Sequence, residues 1–182
     1  MGRYVEEPMT GFADLVAQPE PAPAAGSVAA ATLTLAAALA TKAARLSTRQ
    51  LSDAGSIAEQ LQRWRVIAEG LADDDARSYA AVLQAIRESG RDSPAAQAAW
   101  SDAARVPLTI AEVGTQMAEQ AAALAREGNP NLRGDALTAL KLAQAAVDAA
   151  AQLVAINVAQ AGLDPVMSDR ASALAGRAAA LT

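Results

Sequence analysis

The chain contains no histidine and no cysteine. Proton transfer must therefore fall to Asp, Glu, Lys, Tyr or bound water. Histidine metal ligation, thiol chemistry and Ser-His-Asp catalysis are excluded. Two carboxylates stand out. Asp75 ends the run Asp73-Asp74-Asp75, just before Ala76 and close to Tyr79, on the side of a helix that otherwise points inward. Facing a cavity, Asp75 would relay a proton. Facing water, it would be a helix-surface carboxylate like its two neighbours, and both readings stay open. Asp135 sits near the start of a later helix, where a carboxylate suits the helix dipole. It reads either as a base or partner for a cationic centre, or as a helix-end residue alone. Gly26 and Ser27 stand where an apolar helix begins. There, free N–H groups and the positive end of the dipole favour an anionic or strongly polar ligand. Ser27 reads as a cap or as a substrate contact. Asn129 and Asn131, in Gly128-Asn129-Pro130-Asn131, would hydrogen-bond a ring or simply shape a turn. Lys42, Arg45 and Arg49 follow that apolar helix and would meet an anionic tail or complement its C-terminus.

These residues need helices to position them. After Pro19, Pro21 and Pro23, Val28 to Thr41 carries no charge and no side chain larger than Leu. A helix apolar all round is buried on most of its circumference, so this one is read as the centre of a bundle, running to about Leu46. A short helix over Pro8 to Ala17 precedes it, with Thr10 as the expected cap. From Ser56 to Glu88, Ile57, Leu61, Trp64, Ile67 and Leu71 recur at helical spacing. Pro94 opens a helix towards Arg126. Pro107 lies inside that helix and predicts a kink near Ala104 to Val106 that frees a carbonyl of the kind that can line a cavity. Gly128 to Asn131 ends it, another helix runs from Arg133 to about Ala161, and Ser168 to Leu181 forms the last. No strand pattern and no repeat is present.

The expectation is an all-α, multihelical single domain over residues 1–182. A chain of 182 residues is long enough to bury its own core. Two of its Ala-rich helices are too apolar for so few partners within one chain, which predicts a homodimer. A net charge of −5 and 3% aromatic residues argue against nucleic acid. The N-terminal MGRYVEEPMT has acidic residues and no apolar core, unlike a secretory signal. Val28 to Thr41 is too short and Ala-rich for a bilayer span. A soluble, cytoplasmic protein with no membrane partner is expected.

Four islands in order complete the reading: Pro21-Ala22-Pro23-Ala24-Ala25-Gly26-Ser27, Asp75-Ala76-Arg77-Ser78-Tyr79, Ala104-Arg105-Val106-Pro107-Leu108, and Gly128 to Asn131 with Asp135. Together they resemble the cyclodeaminase/cyclohydrolase family, from about Phe12 to Asn157. The resemblance implies a multihelical homodimer acting on a one-carbon unit between N5 and N10 of tetrahydrofolate. It would either expel ammonia from 5-formiminotetrahydrofolate or hydrolyse 5,10-methenyltetrahydrofolate to the 10-formyl form, with no metal or cofactor. On that resemblance Asp75 and Asp135 are the catalytic candidates, and Gly26, Ser27, Arg45, Arg49, Asn129 and Asn131 the substrate-binding ones. The departures are definite. Ala24 and Ala25 replace two glycines of the usual PAPGGGS. Leu46-Ser47-Thr48-Arg49-Gln50 replaces LTxGKK and its paired lysines. Gly134 replaces the serine of NPNxxSD, and Leu153-Val154-Ala155-Ile156-Asn157 lacks the first Asn and the Arg of NVRIN. They leave room for an alternative, a catalytically degenerate or repurposed dimeric binding protein.

Overall fold

The structure is a computed structural model and describes residues 3–182. Among these there are six α-helices and no strand: α1 (Met9–Val16), α2 (Ala25–Arg45), α3 (Ala54–Ser89), α4 (Pro94–Glu127), α5 (Arg133–Ala161) and α6 (Val166–Ala179). Local chemistry sets most of the ends. Pro94 occupies the first position of α4, and the Ser93 hydroxyl accepts from the Ala96 N–H at 3.1 Å. Gly162, with φ of 62°, closes α5 in the left-handed conformation that glycine adopts freely. Thr10 does not cap α1; the helix starts one residue earlier, behind Pro8, and has no side-chain cap.

Alanine sets the packing. α2 lies against α3 and α5, and α4 packs along α5. Leu33, Leu61, Ile110, Met117, Leu140 and Val147 fill the spaces between alanine-lined faces and are fully buried. The approach of α4 to α5 depends on Gly114. A Cβ there would stand 2.6 Å from Cγ2 of Val147, well inside contact distance.

α2 begins at Ala25, so Gly26 and Ser27 are first-turn helical residues and not part of the preceding loop. Eleven of its 21 residues are buried, yet it is not enclosed all round. Val28, Thr32, Leu35 and Leu39, spaced four, three and four apart, form a stripe that the chain leaves partly open, with Leu35 48% exposed. The expectation that Val28 to Thr41 is too short to span a bilayer covers only part of the helix. By length and composition alone α2 and Pro130–Ala161 both qualify, at mean hydropathy 1.4, because α2 extends at both ends beyond the apolar run. Here its buried side is the centre of the bundle.

Candidate active site

A cavity of about 330 Å³ opens where the Pro21–Ala24 loop meets the first turn of α2, the middle of α3, the start of α4 and the end of α5. That volume lies within the usual range for small-molecule sites. Its reactive group is Asp75. Oδ2 of Asp75 accepts from the Ser27 N–H at 2.9 Å, so the carboxyl caps the N-terminus of α2 from a neighbouring helix. The Ser27 hydroxyl lies 2.7 Å from the Ala72 carbonyl oxygen and 3.3 Å from Asp75 Oδ2. A hydroxyl has one proton, and the shorter contact takes it. The longer contact is then completed only when Asp75 is protonated and donates. Burial acts in the same direction. It raises the Asp75 pKa above the ordinary 3.8, against the Ser27 N–H, whose bond favours the carboxylate.

Gly26 makes this arrangement possible. A Cβ at that position would fall 2.0 Å from Asp75 Oδ1 and 2.4 Å from its Cγ. Glycine is required here by the closeness of the carboxyl and not by a special φ. The two alanines that replace glycines are compatible with the backbone. Ala24 is extended, at φ −131°, Ala25 is helical, and no non-glycine residue has positive φ among the described residues.

The walls are apolar and aromatic. Tyr79 of α3 and Trp100 of α4 meet at 6.1 Å between ring centroids, tilted by 59°. Ala103 and Asn157 also line the cavity. The carbonyl freed by Pro107 is that of Ala103, four residues back. α4 runs through Pro107 without interruption, and the missing donor is supplied from α5, where Asn157 Nδ2 donates to the Ala103 oxygen at 3.0 Å. The family pattern ends in an asparagine at position 157, which was the available sequence signal for this residue. Only the structure connects it to Pro107.

The structure brings Gly26, Ser27 and Asp75 together and gathers the other expected residues elsewhere. Asp135 pairs with Lys42, Nζ to Oδ2 at 2.8 Å, near the far end of α2. About 22 Å of helix separates Ser27 from Lys42 at ~1.5 Å per residue. Within one chain, therefore, Asp75 and Asp135 do not share a site. Each polar side-chain atom of Asn129 already has a partner within the protein. Its N–H donates to Ser47 Oγ at 2.9 Å, its Nδ2 to the Leu46 carbonyl at 2.8 Å, and its Oδ1 accepts from the Asn131 N–H at 3.0 Å. It ties the turn after α4 to the end of α2. Asn131 and Arg49 are exposed, and Arg45 borders a groove with Val66 and Ile67 of α3.

The architecture defines a class of all-helical proteins with a carboxyl-capped cavity at one end of an alanine-rich helix. A family model described as formiminotransferase-cyclodeaminase matches residues 8–174, and the chain belongs to that family. Its fold matches the crystal structure of formiminotetrahydrofolate cyclodeaminase from Thermotoga maritima, with a TM-score of 0.82 and 24% identity over 95% of this chain and 94% of that one. No curated protein sequence is significantly similar to it.

Proposed function

We propose that this protein is a folate one-carbon enzyme that deaminates 5-formiminotetrahydrofolate, with Asp75 as the proton relay. The observation that carries the reading is the Asp75 carboxyl, held against the first turn of α2 at the wall of an aromatic-lined cavity. In the reaction N10 attacks the formimino carbon, the new C–N10 bond forms, and the bond to the amino nitrogen breaks. With the formimino group in its protonated, amidinium form, N10 gives up the one further proton that the nitrogen needs to leave as ammonia, so one carboxyl that accepts from the first and donates to the second balances the step. Gly26 and Ser27 hold that carboxyl, while Tyr79 and Trp100 offer faces to the pteridine. No metal or redox cofactor enters this reading. Beside the cavity a second one, of about 660 Å³, shares Pro21, Ala22, Ala76 and Tyr79 with it and is bordered by Arg77 and Arg87. With Arg3, which also lines it, these are the cations nearest to hand for the anionic tail of a folate. Asp135, Arg45, Arg49, Asn129 and Asn131 belong in this reading to the far end of α2 and serve structure there.

The same relay, run with water as nucleophile, would hydrolyse the methenyl form. The loss of the lysine pair at Arg49-Gln50 favours a second reading, a family member that binds a ligand without turning it over. Absorbance decides among them. Formation of the near-ultraviolet methenyl band from 5-formiminotetrahydrofolate marks the deaminase, and its accelerated decay marks the hydrolase. Neither change, with folate binding absent by calorimetry, leaves only the repurposed scaffold.

We also infer that the protein is a soluble, cytoplasmic homodimer in which a second copy covers the open Val28-Thr32-Leu35-Leu39 stripe of α2. An apolar stripe on the central helix of a bundle is an unfinished core.

A further inference from the structure

We propose that Asn157 is a specificity residue whose side-chain oxygen accepts an N–H from the bound heterocycle, and that Pro107 fixes that oxygen in place. The chemistry is set by two helices. Pro107 has no N–H, so the Ala103 carbonyl on α4 has no helical donor and faces α5. Asn157 Nδ2 donates to it at 3.0 Å. Turning the amide over would set Oδ1 against the Ala103 oxygen, two acceptors face to face, so the orientation is dictated by the neighbour. Oδ1 is thereby left as a free acceptor. No donor among the described residues reaches it, and Asn157 lines the same cavity as Asp75, Tyr79 and Trp100. The Ser78 hydroxyl, also at the cavity, is already spent on the Asp75 carbonyl at 2.9 Å. An acceptor fixed across an aromatic-walled cavity selects a planar ring that presents N–H donors along one edge, as the amino-pyrimidine edge of a pterin does. The inference rests on the folate reading and adds the residue that orients the ring.

The obvious variant, Asn157→Ala, removes the proposed ligand contact and also orphans a carbonyl, so by itself it does not separate binding from structure. Pro107→Ala does, because an alanine in place of the proline supplies the missing N–H and satisfies Ala103 without help from Asn157. The test is a double-mutant cycle on the full chain, with 5-formyltetrahydrofolate as the calorimetric probe and melting temperature as the structural readout. Asn157→Ala alone should lower the melting temperature and weaken binding. In the Pro107→Ala background the same change should leave the melting temperature unmoved, while binding weakens roughly tenfold. Equal Kd values for Pro107→Ala and Pro107→Ala/Asn157→Ala would overturn the proposal and leave Asn157 a structural brace, with the folate reading intact. Absence of any binding by the unaltered protein would remove both.

Discussion

Gly26→Ala tests the site most directly, because two opposing effects of known size meet at one atom. In an ordinary helix the change stabilises, by up to about 1 kcal/mol. Here the new Cβ would stand 2.0 Å from Asp75 Oδ1 and 2.7 Å from Oδ2. The carboxyl must swing away, and with it goes the bond from the Ser27 N–H. A hydrogen bond to a charged or partly charged group is worth about 1.5–3 kcal/mol, and a buried first-turn N–H left without a partner costs a comparable amount. The loss outweighs the helix gain, so a net destabilisation of roughly 1–3 kcal/mol is expected in urea titrations. Turnover, followed by the methenyl absorbance, should fall by about 100-fold or more, since a displaced general acid–base group forfeits about that factor. The sign should reverse in an Asp75→Ala background. There the three atoms nearest that Cβ, all from the Asp75 carboxyl, are gone, and Gly26→Ala should stabilise by a few tenths to about 1 kcal/mol. Wild-type stability and turnover for Gly26→Ala would refute the close approach of Asp75 to α2 and the site built on it.

Asp75 should also give activity and stability opposite responses to pH. Its folded pKa is raised, so its contribution to stability is complete below the ordinary aspartate value of 3.8 and is lost as pH rises through the folded pKa. Turnover needs the ionised form to accept from N10 and should rise across that same window. Asp75→Asn should flatten the stability curve in pH-dependent denaturation and abolish the acid limb of the rate profile. An unchanged rate profile would exclude Asp75 as the relay. At the far end of α2, Asp135→Asn should cost under about 1 kcal/mol, the range of exposed ion pairs, and leave kcat within about threefold. A loss of kcat of about 100-fold, the scale of a missing acid–base group, would place Asp135 at the chemistry, which within this geometry only a second copy could arrange. Asn129→Ala should lower stability by about 1–2 kcal/mol through its lost hydrogen bonds, without changing KM. Leu35→Glu should convert a dimer to monomers in sedimentation velocity. A variant that sediments like the unaltered protein would show that the α2 stripe is not an interface.

The helices were legible in the residues alone, because their signals are local. Apolar residues at helical spacing in α3, Pro94 behind Ser93, and Gly162 after α5 each act within a turn or two of chain. Composition removed histidine and cysteine chemistry without any fold. It also held half of the site, since Gly26, Ser27 and Asp75 could be singled out by residue type and setting. Packing chose which of the candidates meet. Whether Asp75 met a cavity or, like Asp73 and Asp74, only water stayed open until α3 docked on α2 and set its carboxyl against the Ser27 N–H. Asp135, a carboxylate at a helix start, stood beside Asp75 as a catalytic candidate, and the length of α2 carried the two apart. Asn129 stayed open between a ring contact and a turn residue until the structure gave its N–H, Nδ2 and Oδ1 partners at the turn and the end of α2. Pro107 announced a freed carbonyl on Ala103, but the partner of that carbonyl lay 54 positions away on another helix, in Asn157. Helix periodicity is written in neighbours three and four residues apart. A binding site is written in contacts between helices, and the chain fixes those only when it packs.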